Sequence, residues 1–265
     1  MINIPLNYFL IFKLDLGISG AAIASSLAEM GSLVVLCIYT RAKIDKVKYG
    51  LKPVYDGRLL IKVLNLSVWS MLHAFISVAP WFLFFVAIEH LGKTELAISN
   101  ITRSVSAIFF VIANSFAVTT GSLVSNAIGA RARNELFPIC HKILKLGYAV
   151  GIPFVVVTLL CNRWIVSFYT DNELLIELAF APFMVMLLNY TFALPGYVYL
   201  NAVGGTGKTK ITFLFQVTTT CVYLVYLYWL SFCIKASLSL YLTAEYLFVI
   251  LLALQSITYL KSKHY

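Results

Sequence analysis

At 265 residues the chain is 61% hydrophobic and only 12% charged, with a mean hydropathy of +0.89. A water-soluble domain carries roughly a quarter charged residues to solvate its surface, so this composition excludes an ordinary soluble globule. The formal net charge of +9 sits between apolar runs, where membrane topology and anionic headgroups account for it, and it calls for no nucleic acid partner.

The chain opens on Met1–Phe12, an apolar run that as helix would reach only about 18 Å at about 1.5 Å per residue, short of the roughly 30 Å of a hydrocarbon core. No basic segment precedes it, so it is not read as a signal peptide. The expectation is a chain that starts within a longer one, with a half-inserted interfacial helix as the alternative.

Seven longer runs follow: Gly17–Thr40, Lys62–Ile88, Leu96–Val118, Cys140–Asn162, Leu174–Leu200, Ile211–Ile234 and Leu240–Leu260. Each meets the need for about 20 largely apolar residues, and none alternates apolar with polar as a barrel strand would. The predicted fold is all-α, a polytopic transmembrane helix bundle of about seven spanning helices plus a partial N-terminal helix. Pro5, Pro80, Pro153, Pro182 and Pro195 fall inside apolar runs and predict kinks, because neighbouring helices and hydroxyl groups can satisfy the carbonyls that proline frees. Thr170-Asp171-Asn172-Glu173 reads as a capping box that opens a helix, and Gly204-Gly205-Thr206-Gly207 as a tight turn.

Lys and Arg alternate between connections. Arg41, Lys43, Lys46, Lys48, Lys52, Arg58 and Lys62 crowd one segment, and the next loop holds only Lys93. Arg131, Arg133, Lys142 and Lys145 then precede a lone Arg163; Lys208 and Lys210 precede a lone Lys235; Lys261 and Lys263 close the chain. Counted by the positive-inside rule, this places 41–61, 119–139, 201–210 and the C-terminus in the cytoplasm of a multi-pass plasma-membrane protein.

The motifs of chemistry are missing. Gly204–Thr209 falls short of a phosphate loop because Ala202 stands where its first glycine belongs. There is no His-Glu-x-x-His, no Gly-x-Ser-x-Gly and no carboxylate pair at helical spacing within a span, so no enzyme is predicted. Cys37, Cys140, Cys161, Cys221 and Cys233 lie in or at the ends of spans, an odd set without metal-ligand spacing, and read as packing residues.

Several segments resemble the multidrug and toxic compound extrusion family of secondary transporters. Asn7–Phe12 running into Leu16–Ala24 is similar to that family's fifth and sixth helices. Leu123–Arg133 resembles the segment after its helix eight, Phe168–Glu173 the approach to helix ten, and Asn201–Thr209 the glycine-rich turn that follows. The resemblance implies a twelve-helix transporter of two six-helix lobes that rock about a substrate cleft, exporting drugs or other amphipathic organic compounds against an inward ion gradient. On this map residues 1–40 are the tail of a first lobe, 41–61 a basic cytoplasmic linker, and 62–265 a six-helix second lobe. A first lobe, supplied by a longer chain or a separate one, is the implied partner beside the bilayer and the small organic substrate. Two other readings stay open: a flippase for lipid-linked saccharides, and a non-transporting assembly partner.

Ionisable and amide groups deep in a bilayer cost about 2.5–3.5 kcal/mol each on insertion scales, which makes them candidate path residues. The candidates are Glu29, His73, Asn100, Arg103, Asn114 and Asn189. Glu29 reads equally as an ion site or as a helix–helix hydrogen bond. His73 reads as a titrating group or a packed one, and Arg103 as a snorkelling side chain or one facing an aqueous cleft. Asn100 lies one turn before Arg103 on nearly the same face. Glu245, five residues into the last span, reads as reaching the interface. Trp81, Phe82, Phe84, Phe85, Phe109 and Phe110 read chiefly as lipid-facing packing, and otherwise as walls of a cleft. Family members often carry a coupling carboxylate midway along helix seven or ten. Here those stretches offer His73, Ser77, Asn189 and Tyr190, so no cofactor is predicted and sodium and proton both stand as the coupling ion.

Overall fold

A computed structural model describes residues 3–45, 55–234 and 236–262. Lys46, Lys48, Lys52, Lys235, Lys263 and the side chain of Cys233, all used in the sequence reading, lie outside the described residues. Every regular element described is helical, and seven helical stretches have the length and apolarity to cross a membrane. The chain divides into two units, Met1–Leu59 and Leu60–Tyr265.

In the first unit α1 (Asn3–Tyr8) continues as a π-helical turn, Phe9–Lys13, and then reverses into α2 (Gly17–Lys43). The reversal needs left-handed backbone at Asp15 (φ 52°) and Gly17 (φ 51°). Gly20 lets the turn close, since a Cβ there would lie 2.8 Å from the Leu10 carbonyl oxygen. Asn3 and Asn7 bond one turn apart on α1, and Asn3 also reaches Ser25 on α2 at 3.4 Å.

The second unit is a helical bundle. α3 (Gly57–Ile88) leads through a 3-10 turn to α4 (Lys93–Gly129), α5 (Leu136–Leu160) and the short α6 (Asn162–Ser167). Next come α7 (Glu173–Leu178), α8 (Phe180–Leu188), α9 (Tyr190–Gly205), α10 (Thr209–Trp229) and α11 (Leu238–Lys261). Helix α9 carries the densest burial, with Leu194, Val198, Ala202 and Val203 all at 0% exposure, because it runs between α4, α5 and α11. Close approach rests on glycine, as expected where lipid supplies no hydrophobic drive between helices and packing must hold them. A Cβ on Gly196 would meet the Val249 carbonyl oxygen at 2.7 Å, and one on Gly205 the Gly121 carbonyl oxygen at 2.5 Å.

One sequence expectation needs correction. The helix start near residue 170 is not a capping box: Asn172 is the N-cap and its Oδ1 accepts from Leu174 N–H at 3.0 Å. Thr170 instead accepts from Asn172 N–H at 3.2 Å, a local turn that brings Asn172 into place. The expected span Leu174–Leu200 lies within one helical stretch, Glu173–Gly205, whose backbone stays right-handed through the local irregularities at Ala179 and Asn189. The glycine turn forms as read, with α9 ending at Gly205 and Gly207 at φ 82°.

The proline inside α9 has a compensating partner on α5. Pro195 has no N–H to offer the carbonyl of residue 191, four positions earlier. Tyr148 on α5 fills that vacancy, its hydroxyl donating to the Thr191 carbonyl at 2.7 Å. Tyr190 returns the gesture by donating to the Gly147 carbonyl at 2.8 Å. Its ring lies so close over Gly151 that a Cβ there would sit 2.1 Å away. Two tyrosines and two glycines thus lock α9 against α5.

Candidate functional site

Where α3, α4, α9 and α11 converge, the bundle forms a partly open cavity of about 450 Å³, within the usual range for a small-molecule site. Trp81, Phe109, Phe110, Tyr190, Tyr197 and Phe248 wall it. Its two charged lining residues, Arg103 and Glu245, form an ion pair, with Nη2 donating to Oε1 at 2.6 Å. The pair joins α4 to α11 across 142 positions of sequence.

Each partner is held on more than one side. The Arg103 guanidinium lies 4.0 Å from the Phe84 ring centre and 5.3 Å from that of Phe85, and such cation–π contacts are worth about 2 kcal/mol when desolvated. Glu245 Oε1 also accepts from the Tyr223 hydroxyl at 3.3 Å. The next residue, Tyr246, anchors α11 by donating to the Val185 carbonyl at 2.5 Å, and Thr243 bonds Tyr226 on α10 at 3.0 Å. Arg103 is only 6% exposed, and a charge so buried is tolerated only when paired. Its Nε–H nevertheless has no partner among the described residues, nor has the amide oxygen of Asn189, which is 7% exposed on the cavity wall.

A second cavity, of about 340 Å³, lies nearer the other end of the bundle. Ser70, His73, Ser122, Asn201 and Thr212 line it, and it contains no carboxylate or basic side chain other than the imidazole. His73 Nε2 is buried there without a partner among the described residues. The surrounding helices are tied by Ser125 donating to the Gly205 carbonyl at 2.9 Å and Thr209 to the Leu66 carbonyl at 3.2 Å.

The sequence candidates therefore scatter. Arg103 and Asn189 share the first cavity, and His73 lines the second. Asn100 and Asn114 are exposed on α4 and line neither. Glu29 is exposed on α2 within its own unit. Arg103 does not snorkel, and Glu245, read as reaching the interface, turns inward to meet it. Of the aromatic set read chiefly as lipid-facing, Phe84 and Phe109 are buried and Trp81 and Phe110 line the cavity, while Phe82 is 65% exposed. The missed residues, Glu245 and Tyr223, had one available signal: a lone arginine in an apolar span needs a counter-charge, and Glu245 is one of very few intramembrane acids.

The fold defines a polytopic helical membrane protein with a cavity of small-molecule size in its helix bundle. The MatE family profile matches residues 70–230, and the chain belongs to that family. It is 23% identical over 185 residues to Multidrug and toxin extrusion protein 1 of Oryctolagus cuniculus, covering 67% of this chain and 32% of that protein. It is 25% identical over 187 residues to Protein DETOXIFICATION 48 of Arabidopsis thaliana, covering 66% of this chain and 34% of that one. A multidrug resistance MATE family transporter solved in an outward-facing conformation shares the fold with a TM-score of 0.86 at 18% identity, over 99% of this chain and 59% of that one. The chain thus spans about a third of the length of these curated relatives.

Proposed function

We propose that the chain acts as part of a secondary antiporter that exports amphipathic organic compounds, with residues 62–265 forming one of two lobes whose rocking gives alternating access. The observation that carries this reading is the aromatic-walled cavity of about 450 Å³ built around a single buried ion pair, in a chain of the MatE family. Apolar walls with a few fixed polar groups suit a ligand that is mostly hydrocarbon with one polar end. An inward sodium or proton gradient supplies the driving force. The loops rich in Lys and Arg face the cytoplasm of a plasma membrane, as the positive-inside rule assigns them. The flippase reading draws less support, because the cavity's single guanidinium already has its charge balanced by Glu245 and a pyrophosphate would need several.

The test is transport by the purified chain in sealed vesicles loaded with an amphipathic fluorescent compound, under an imposed sodium gradient or an imposed proton gradient. The reading expects gradient-dependent movement that stops when the gradient is collapsed. Movement indifferent to both gradients, or no movement with the chain alone and with an added first lobe, would contradict it.

A further inference from the structure

We propose that the cavity at the Arg103–Glu245 pair selects aromatic compounds bearing a single carboxylate and discriminates against aromatic cations. This rests on the reading that the cavity is the substrate site. An aromatic-walled pocket containing an acid would ordinarily suit a cation, through the carboxylate and the ring faces together. Here the acid is already taken, and two rings beside the pair already carry a cation. Glu245 Oε1 is held by Arg103 at 2.6 Å and by Tyr223 at 3.3 Å. The Phe84 and Phe85 rings carry the guanidinium itself, 4.0 Å and 5.3 Å from their centres. A cation entering the cavity would have to share Glu245 with a positive charge beside it.

The unsatisfied groups point the other way. A guanidinium carries five N–H donors in a planar fork and can hold two carboxylates at once, one on each edge. Glu245 uses Nη2, while Nε–H, on a side chain only 5% exposed, has no acceptor among the described residues. A ligand carboxylate on the Nε edge would satisfy that donor without breaking the existing pair. Tyr223 is placed to keep its bond to Glu245 as the guanidinium is shared. The Asn189 side chain, on the cavity wall, offers a second donor to the carboxylate through its amide NH2. The aromatic walls at Phe110, Tyr190 and Phe248 take the ring system.

The pair gives an unusual sign to one substitution. Removing the negative charge with Glu245→Gln leaves Arg103 undivided for the ligand, so a carboxylate should bind more tightly. If Glu245 were itself the ligand-binding group for cations, the same change would abolish binding. The experiment is equilibrium binding of radiolabelled naphthoate and naphthylmethylammonium, matched in shape and opposite in charge, to the purified full chain in nanodiscs, with uncharged naphthalenemethanol as a third probe. Naphthoate is expected to bind at least about 10-fold more tightly than the ammonium compound, a difference well within reach of one charge-assisted contact. Glu245→Gln should widen that ratio, and Arg103→Gln should erase it. Because the unpaired Arg103→Gln chain risks misfolding, the Arg103→Gln/Glu245→Gln double variant serves as its neutral counterpart, with the ratio again expected near one. Tighter binding of the ammonium compound, or a Glu245→Gln chain that loses naphthoate, would overturn the proposal while leaving the transport reading standing. Failure of all three probes to bind would overturn the cavity as the substrate site, and this inference with it.

Discussion

The two cavities of the larger unit differ in how their polar groups are made tolerable. The one between α4 and α11 concentrates full charge: a buried arginine and a glutamate, clamped by rings and a tyrosine. The one near the glycine turn of α9 is lined by hydroxyls, an amide, an imidazole and glycine backbone, with no formal charge to neutralise. A charge pair in a low-dielectric setting is worth much only while intact, since losing one partner strands the other. Hydroxyls turn back onto their own helix, as Ser70 and Thr212 do in donating to the Leu66 and Thr209 carbonyls at 3.3 Å and 2.7 Å. The charged cavity should therefore be brittle to substitution and the hydroxyl cavity forgiving.

The largest expected effect is Arg103→Gln, which leaves Glu245 buried beside Tyr223 without a cation and should cost about 3–5 kcal/mol of stability, read as a thermal unfolding shift in detergent. Gly151→Val comes next. The Tyr190 ring occupies the space a side chain would need, and overpacking of this kind costs about 1–3 kcal/mol. Such a variant should also displace the cavity wall that Tyr190 forms. Tyr148→Phe should cost about 1–2 kcal/mol through the unpaired Thr191 carbonyl. Pro195→Ala restores an N–H to that carbonyl, so Tyr148→Phe should cost clearly less in the Pro195→Ala background; an unchanged cost would separate the tyrosine from the proline vacancy. The smallest effect is expected for His73→Gln in the hydroxyl cavity, within about 0.5–1 kcal/mol, because no ion pair depends on it. A loss there as large as that for Arg103 would erase the contrast between the two cavities.

The helices were legible because the bilayer imposes a coarse rule. About 20 apolar residues are needed to cross, and all seven expected spans correspond to helices long and apolar enough to do so. What the sequence concealed was pairing across distance. Arg103 and Glu245 are each an isolated ionisable group in a separate apolar run, and periodicity within a helix says nothing about which face of another helix it meets. The same holds for Tyr148 and Pro195: proline announces a free carbonyl, but not the tyrosine on another helix that caps it. The aromatic residues at 81–85 were uninformative for a related reason, since lipid-facing and cavity-facing rings look alike in an apolar helix, and packing alone divides Phe82 from Phe84.

The central claim is that Arg103 and Glu245 form one buried unit. It is tested most directly by the coupling energy from a double-mutant cycle of Arg103→Gln and Glu245→Gln, with unfolding free energy of the detergent-solubilised chain as the readout. Each single change should be costly and the double change no worse than either one, giving a coupling of about 3 kcal/mol or more. Additive losses, with coupling below about 0.5 kcal/mol, would mean that the two side chains act independently and that the ion pair at the heart of the cavity does not form.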